Sequence, residues 1–297
     1  MDWNVYDTYE MLIERMHQLE IAYSPVLQVK MIGKSHDERP IPMMQLGFGE
    51  KTLICTGGVH GREIVNPGVL TAMTEEYCMA YEEGCMIDGF DVKRLLLDYT
   101  ICIIPLLNPD GYMIAQYGFE QIENPVLRHS AIMKGIPYIE WKYNARGVDI
   151  NRNFPAKSYR KQFPGDYPMS ENETRALIRV FQSYKTFAYI DVHSRGKCIY
   201  FYRNAMSKAY NQRQQHIAEK LVRLTGYTPG QKEEEFMDPK SGGNTVHYYS
   251  EYYKKPAITI ETVPEEADFP LDVCYLKQTF CEIHTCLLAM LMMQNFD

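Results

Sequence analysis

Four stretches of the chain are apolar or β-branched at most positions: Thr52 to Thr56, Thr100 to Pro105, Phe187 to Val192 and Ala257 to Thr262. Runs this short, without a polar alternate, read as strands buried on both faces. Between them the spacing becomes helical. Leu12, Ile13, Met16 and Leu19 stripe a helix across Tyr6 to Ala22. Further helical patterns follow Pro67 and cover Glu171 to Tyr184, Ala209 to Thr225 and Cys274 to Met293. In the third of these, Ile217, Leu221 and Leu224 make the core face and Gly226 supplies the stop. Strands alternating with helices predict an α/β fold with a mostly parallel or mixed sheet. No repeat, low-complexity tract or linker divides the chain, so residues 1–297 are read as one domain. The segment from Gln116 to Asn144, which holds Pro125 and Pro137, is expected to be an irregular excursion over one face, the kind of loop that shapes a site.

Composition narrows the class. Hydrophobic residues make up 45% and charged residues 23%, as in ordinary globular proteins. The formal net charge of −7 leaves no basic footprint for nucleic acid or an anionic membrane. The eight cysteines form no C-x-x-C, and Cys55 and Cys102 fall inside apolar runs, where a thiol acts as a small hydrophobe. The opening MDWNVYDTYEML lacks the basic-then-apolar order of a signal peptide. The apolar tract CLLAMLMM is far shorter than the roughly 20 residues that cross a bilayer. These features lead us to expect a cytoplasmic protein with reduced thiols and no membrane partner.

Chemistry enters through H-x-x-E, which occurs three times: His17 with Glu20, His60 with Glu63, and His216 with Glu219. The first and third copies lie inside helical patterns and read as surface positions. The second follows a buried strand, and ligands of open α/β sheets bind beyond the C-terminal ends of strands. The other strand ends deliver "NPDGY" (Asn108 to Tyr112), "DVHSRG" with Asp191 and His193, and "TIETVP" with Glu261. Two histidines and one carboxylate suit a hydrolytic zinc, with a water in the fourth position. His60, Glu63 and His193 are therefore the expected ligands. Glu261 is left as general base for a water whose pKa zinc lowers towards about 7. Asp191, two residues before His193 on a strand of period 2, is placed to support a ligand histidine. In "GVDINRNFP", Asn151 and Arg152 suit capture of a carboxylate, or Arg152 pairs with Asp149.

Taken in order, "HGRE", "NPDGY", "GVDINRNFP", His193-Ser194, "SGG" (Ser241 to Gly243) and "TIET" give the chain a resemblance to the zinc carboxypeptidases of the carboxypeptidase A type. "MIGKSHDERPI" is similar to that family's edge-strand entry. The resemblance implies an eight-stranded mixed sheet flanked by helices, one zinc per chain and hydrolysis of an amide bond. It implies His60, Glu63 and His193 as metal ligands, Glu261 as base, Asn151 with Arg152 as a substrate-carboxylate clamp, and Arg62 and Ser194 in the substrate site. Two positions depart from the family pattern. Asp238 stands where digestive members carry a mobile tyrosine. Lys142 stands where the oxyanion-stabilising arginine is expected, with Arg146 nearby, so both are candidates for that role. The run "WKYNARGVD" looks more like a bacterial branch that cleaves γ-D-glutamyl–diamino acid bonds in cell-wall peptides. The expected substrate is a small muropeptide-derived peptide. A general carboxypeptidase, an amidoacid deacylase on the same fold and a binding module without catalysis are the alternatives. Arg195, two residues past His193, is expected either to face the same cleft and read a second substrate carboxylate or to pair with a surface acid such as Glu234.

Overall fold

A computed structural model describes residues 2–234 and 241–293. Asp238, the position that replaces the family's tyrosine, lies outside the described residues. The strands are β1 (Leu27–Lys34), β2 (Pro40–Gly47), β3 (Lys51–Thr56), a small hairpin of β4 (Met86–Ile87) and β5 (Phe90–Asp91), then β6 (Tyr99–Ile104), β7 (Lys185–Ser194), β8 (Cys198–Tyr200), β9 (Thr228–Pro229) and β10 (Ala257–Thr262). Eight of them form one mixed sheet in the order β1-β2-β6-β3-β7-β10-β8-β9. The inner strands β6, β3, β7 and β10 run parallel, while β1 to β2, β2 to β6 and β10 to β8 are antiparallel.

The inner strands carry apolar residues at successive positions because both faces are covered. Leu53 and Cys55 of β3, Ile101 and Ile103 of β6, and Ala188, Ile190 and Val192 of β7 point into one core. Ile54, Cys102, Ile104 and Tyr189 point into the other. The first core is closed by α1 (Tyr9–Tyr23) and α2 (Val65–Glu83). Later elements complete it: α7 (Lys208–Thr225), α9 (Tyr275–Ile283) and α10 (Cys286–Met292). The second is closed by α6 (Asn172–Ser183), which brings Leu177 and Phe181, and by α8 (Thr245–Tyr253), which brings Tyr248 and Tyr249. Between β3 and β6 the chain also forms α3 (Val92–Asp98). Gly226 ends α7 in the left-handed conformation at φ 71, which its lack of a Cβ permits.

Two expectations need correction. The segment from 116 to 144 is not structureless: α4 (Pro109–Tyr117) runs into it, and it holds α5 (Pro125–Ile132). Pro125 occupies the first turn of α5, where no backbone donor is needed, and Asn124 caps it by accepting from Val126 N at 3.0 Å. The excursion packs on its own small core of Ile114, Ile122, Ala131, Trp141 and Ala145. The pattern from Cys274 to Met293 is two helices, α9 and α10, that part at His284 and Thr285. Among the described residues, no helix is long and apolar enough to cross a membrane.

Strand order reverses at β3. Its next partner in sequence, β6, lies on one side and β7 on the other, so the loops beyond the ends of β3 and β7 diverge and open a crevice there.

Candidate active site

The residues at the strand ends meet in that crevice. His60 and Glu63 sit on the loop between β3 and α2, and His193 is the ninth residue of β7. Glu261 of β10 is the direct register partner of His193 across the parallel pair. His60 Nδ1 lies 2.7 Å from Glu63 Oε1, and His193 Nδ1 lies 3.1 Å from Glu63 Oε2. The two imidazoles thus turn the same ring nitrogen toward one carboxylate, with ring centroids 4.9 Å apart. Their other nitrogens face outward to further carboxylates. His60 Nε2 is 3.3 Å from Asp149 Oδ1, and His193 Nε2 is 2.9 Å from Asp191 Oδ2.

Two histidines and a carboxylate so placed could hold a metal ion, and they are a donor set that suits a hydrolytic zinc. An Nε2–H donated to a carboxylate fixes the tautomer that leaves the Nδ1 lone pair free for a metal. One potential ligand atom from each of His60, Glu63 and His193 lies within 4.8 Å of the others. Burial opposes charge on His60 and His193, yet the facing carboxylates outweigh it and hold both imidazoles above their ordinary range. Burial likewise opposes ionisation of Glu63, and the two histidines overcome it, drawing the carboxyl down to about 2. Asp149 is pulled well below the usual carboxylate range by His60 and then Lys142, against its burial.

Glu261 differs from its neighbours. It makes no ion pair among the described residues, and it is half-buried in the crevice wall. Burial, only partly opposed by His193 and reinforced by Glu63, pushes its carboxyl up to about 7. The group is poised to exchange a proton near neutral pH.

The scaffold behind these residues uses buried polar side chains. Asp191 is held by Thr56 Oγ1 at 2.5 Å and by the Thr245 hydroxyl. Asn66, fully buried on α2, donates to Ser194 Oγ at 3.1 Å and accepts from Thr262 at 2.9 Å, tying α2 to β7 and β10. The Ser194 hydroxyl is thereby engaged inside the fold, 2.8 Å from Thr262 Oγ1. The "NPDGY" element is architectural. Asn108 donates to the carbonyls of Val59 and Tyr143, both at 3.1 Å, and so binds the His60 loop to the excursion. Gly61 packs so closely on Gly111 that a Cβ would lie 2.2 Å from its carbonyl oxygen. Asp110 takes Ser35, the Asp37 backbone and Arg39, and so anchors the β1–β2 hairpin.

The candidate cations separate into two groups. Lys142 Nζ is 2.7 Å from Asp149 Oδ2, one residue removed from His60. Asn151 Nδ2 lies 3.4 Å from His193 Nε2, and its amide oxygen accepts from Thr245 N at 3.1 Å. Arg152 donates to the Asn151 carbonyl at 2.8 Å and forms no ion pair among the described residues; Asp149 is taken by Lys142 and His60 instead. Arg62 stacks 4.4 Å over the Phe269 ring, and its Nε is buried without a partner. Arg146, by contrast, pairs with Glu171 at 3.0 Å, and none of its bonds reaches the histidines. Arg195 is spent on backbone carbonyls: it donates to Ala267 O at 2.6 Å and to Glu265 O, with its guanidinium 5.4 Å from Phe269. Among the described residues it pairs with neither a cleft group nor a surface acid. The guanidinium close to His193 in sequence is therefore held by carbonyls of the loop that follows Glu261.

The two other H-x-x-E copies stay on helices. His17 lies 3.5 Å from Glu20 on α1, with its side chain 45% exposed, and His216 turns back onto the Gln212 carbonyl at 2.8 Å. Asp149 is the site residue that sequence reasoning left undecided. The available signal was its place two residues before Asn151.

A family model described as zinc carboxypeptidase (Peptidase_M14) matches residues 12–282. Gamma-D-glutamyl-L-diamino acid endopeptidase 1 of Lysinibacillus sphaericus is 27% identical over 268 residues, covering 85% of this chain and 64% of that protein. Carboxypeptidase O of Bos taurus is 24% identical, covering 82% of this chain and 64% of its own length. The chain thus spans just under two thirds of these relatives. Among solved structures, thrombin-activatable fibrinolysis inhibitor superposes with a TM-score of 0.79 at 19% identity over 99% of this chain and 76% of its own. Murein-tripeptide amidase of Escherichia coli O157 does so with a TM-score of 0.55 at 18% identity over 90% and 93%. With the family model matched over most of its length and the eight-stranded fold shared, the chain belongs to the zinc carboxypeptidase family.

Proposed function

We propose that the protein is a zinc metallopeptidase that hydrolyses the γ-D-glutamyl–diamino acid bond of cell-wall-derived peptides. The observation that carries the hydrolytic part is the convergence of both histidine Nδ1 atoms on Glu63, with Glu261 in register beside His193. His60, Glu63 and His193 would hold the zinc, which supplies a Lewis acid and lowers the pKa of a water at the site. Glu261 accepts a proton from the attacking water and returns it to the leaving amine. Lys142 lies on the His60 side through Asp149 and offers a point charge to the developing oxyanion. Asn151 and Arg152 bind the substrate carboxylate on the leaving side, since Arg152 has no acidic partner of its own among the described residues.

Asp149 orients His60 for the metal, so Asp149→Asn is expected to weaken zinc binding by about 10- to 100-fold. Competition of each protein against a chromophoric chelator measures this. Equal affinities in the two proteins would remove Asp149 from the role.

Two features support the substrate assignment. The Lysinibacillus sphaericus relative is named for action on γ-D-glutamyl-L-diamino acid bonds. The site also carries a second guanidinium with no ion pair among the described residues, that of Arg62, braced on Phe269. A γ-linked glutamate keeps a free α-carboxylate for it to read. Arg62 therefore takes the role that the sequence suggested for Arg195. L-Ala-γ-D-Glu-diaminopimelate is expected to be cleaved with much higher kcat/KM than an α-linked peptide ending in a neutral residue. Arg62→Ala should narrow that gap by about 1.5–3 kcal/mol, the worth of a hydrogen bond to a charged group. Equal kcat/KM for both peptides in the parent enzyme would leave a general carboxypeptidase in place of this reading.

A further inference from the structure

The segment from Lys142 to Asn153 carries four residues of the site: Lys142, Asp149, Asn151 and Arg152. It is irregular apart from one short 3-10 turn, Ile150–Arg152. Two buried asparagines, Asn144 and Asn153, hold its course, and both are fastened to Glu171.

Asn144 closes the first half. Its Oδ1 accepts from Arg146 N at 3.1 Å and from Val148 N at 3.0 Å, and its own N donates to the Val148 carbonyl at 3.0 Å. That ring draws the ends of the loop together, where Lys142 meets Asp149. The side-chain amide of Asn144 donates onward to Glu171 Oε2 at 2.7 Å and to Glu173 Oε2 at 3.2 Å. Asn153 ends the second half, just past the turn that holds Asn151 and Arg152. Its Oδ1 accepts from Glu171 N at 3.1 Å. Its Nδ2 donates to Ser170 Oγ at 2.8 Å, and that hydroxyl donates to Glu171 Oε1 at 2.6 Å. Asn151 has a further hold on Thr245 N, so the Asn153 tether bears chiefly on Arg152.

Glu171 is a firm point of attachment. It is fully buried and directly precedes α6, whose Leu177 and Phe181 are packed in the second core. Its carboxylate also takes His36 and Arg146, both at 3.0 Å. Burial opposes its charge, but His36, Ser170 and Asn144 outweigh it and draw the carboxyl down to about 2. Well-packed apolar residues often replace a buried ionic group at no cost in stability, so stability alone does not call for this network. A fully satisfied network does enforce one arrangement of the loops it joins.

We infer that Glu171 is a positioning residue for hydrolysis, aiming Lys142 and Asp149 through Asn144 and setting Arg152 through Asn153. This role rests on the functions proposed above for Lys142 and Arg152. The two tethers then act on different quantities. Lys142 meets charge that develops only in the transition state, so its misplacement lowers kcat. Arg152 grips a carboxylate that is present before the reaction as well, so its misplacement raises KM.

Kinetics of Asn144→Ala, Asn153→Ala and Glu171→Gln in the full chain, at saturating zinc and on whichever peptide the parent cleaves best, test this. Asn144→Ala should lower kcat about tenfold or more with KM near that of the parent. Asn153→Ala should raise KM about tenfold with kcat near that of the parent, and Glu171→Gln should do both. Competition against a chromophoric chelator needs no substrate. There Asn144→Ala and Glu171→Gln should weaken zinc binding about tenfold through Asp149, while Asn153→Ala leaves it unchanged. A best substrate other than the γ-D-glutamyl peptide would correct the substrate assignment alone. Parent-like zinc affinity in both Asn144→Ala and Glu171→Gln would overturn the inference. So would a fall in kcat and a rise in KM shared in the same proportion by the two asparagine variants, since that marks a general loosening of the fold. Should an alanine variant lose its cooperative melting transition, the near-isosteric Glu171→Gln decides by its zinc affinity, kcat and KM.

Discussion

Glu261→Gln is expected to lower kcat by at least about 10²- to 10⁴-fold, the usual worth of a general base, while the variant still binds zinc as the parent does. The amide has nearly the same shape, so the packing of β10 against β7 should be kept. What it loses is the capacity to take a proton. The position suits that task for two reasons. The parallel register sets Glu261 directly beside His193, so the two side chains leave the sheet on the same face. Burial and the neighbouring Glu63 raise its affinity for a proton, whereas Glu63, Asp149 and Asp191 are drawn the other way by their cationic partners. Carboxylates crowded into one crevice are thus divided into three that stay ionised and one that exchanges. Kinetics of the variant beside its zinc content decide the matter. Normal kcat would mean that another group accepts the proton, and lost zinc would mean that Glu261 supports the metal group instead.

The sequence showed the strand ends because burial on both faces makes the inner strands apolar at consecutive positions. Ala257 to Thr262 agrees at both ends, and Thr52 to Thr56 falls one residue short of β3. Once those ends were located, His60, Glu63, His193 and Glu261 stood out as polar residues placed where an α/β sheet opens. The decoy pairs on α1 and α7 were separable by the same logic. Contacts between distant loops were not legible. Asp149 meets His60 across 89 residues and Lys142 across a turn of the excursion, and no local pattern encodes either meeting. Arg146 and Arg195 carry the right charge at suggestive spacings. Their partners, Glu171 in one case and the carbonyls of Glu265 and Ala267 in the other, are set by tertiary packing alone. α5 was missed because it is eight residues long and its few apolar positions face a private core rather than the sheet.

Removal of zinc is expected to abolish hydrolysis and leave the fold in place. The two large cores on either side of the sheet contain no residue of the metal group, so their burial is the same with or without the ion. Glu63 has both histidines beside it, at 2.7 and 3.1 Å, so its buried carboxylate is not left among apolar groups when the ion is removed. A structural zinc of the finger type would behave otherwise, since there the metal supplies the folding energy. Zinc binding still favours the native state by mass action. At a free concentration about a hundredfold above Kd the gain is about 2.7 kcal/mol, which for a domain of this size raises Tm by roughly 4 °C. The chelated protein should therefore keep its far-ultraviolet dichroism and a cooperative transition, melt several degrees lower, and recover activity when about one equivalent of zinc is returned. Full activity after verified depletion would refute a metal-dependent mechanism. Collapse of the dichroism on chelation would refute the independence of the two cores from the site.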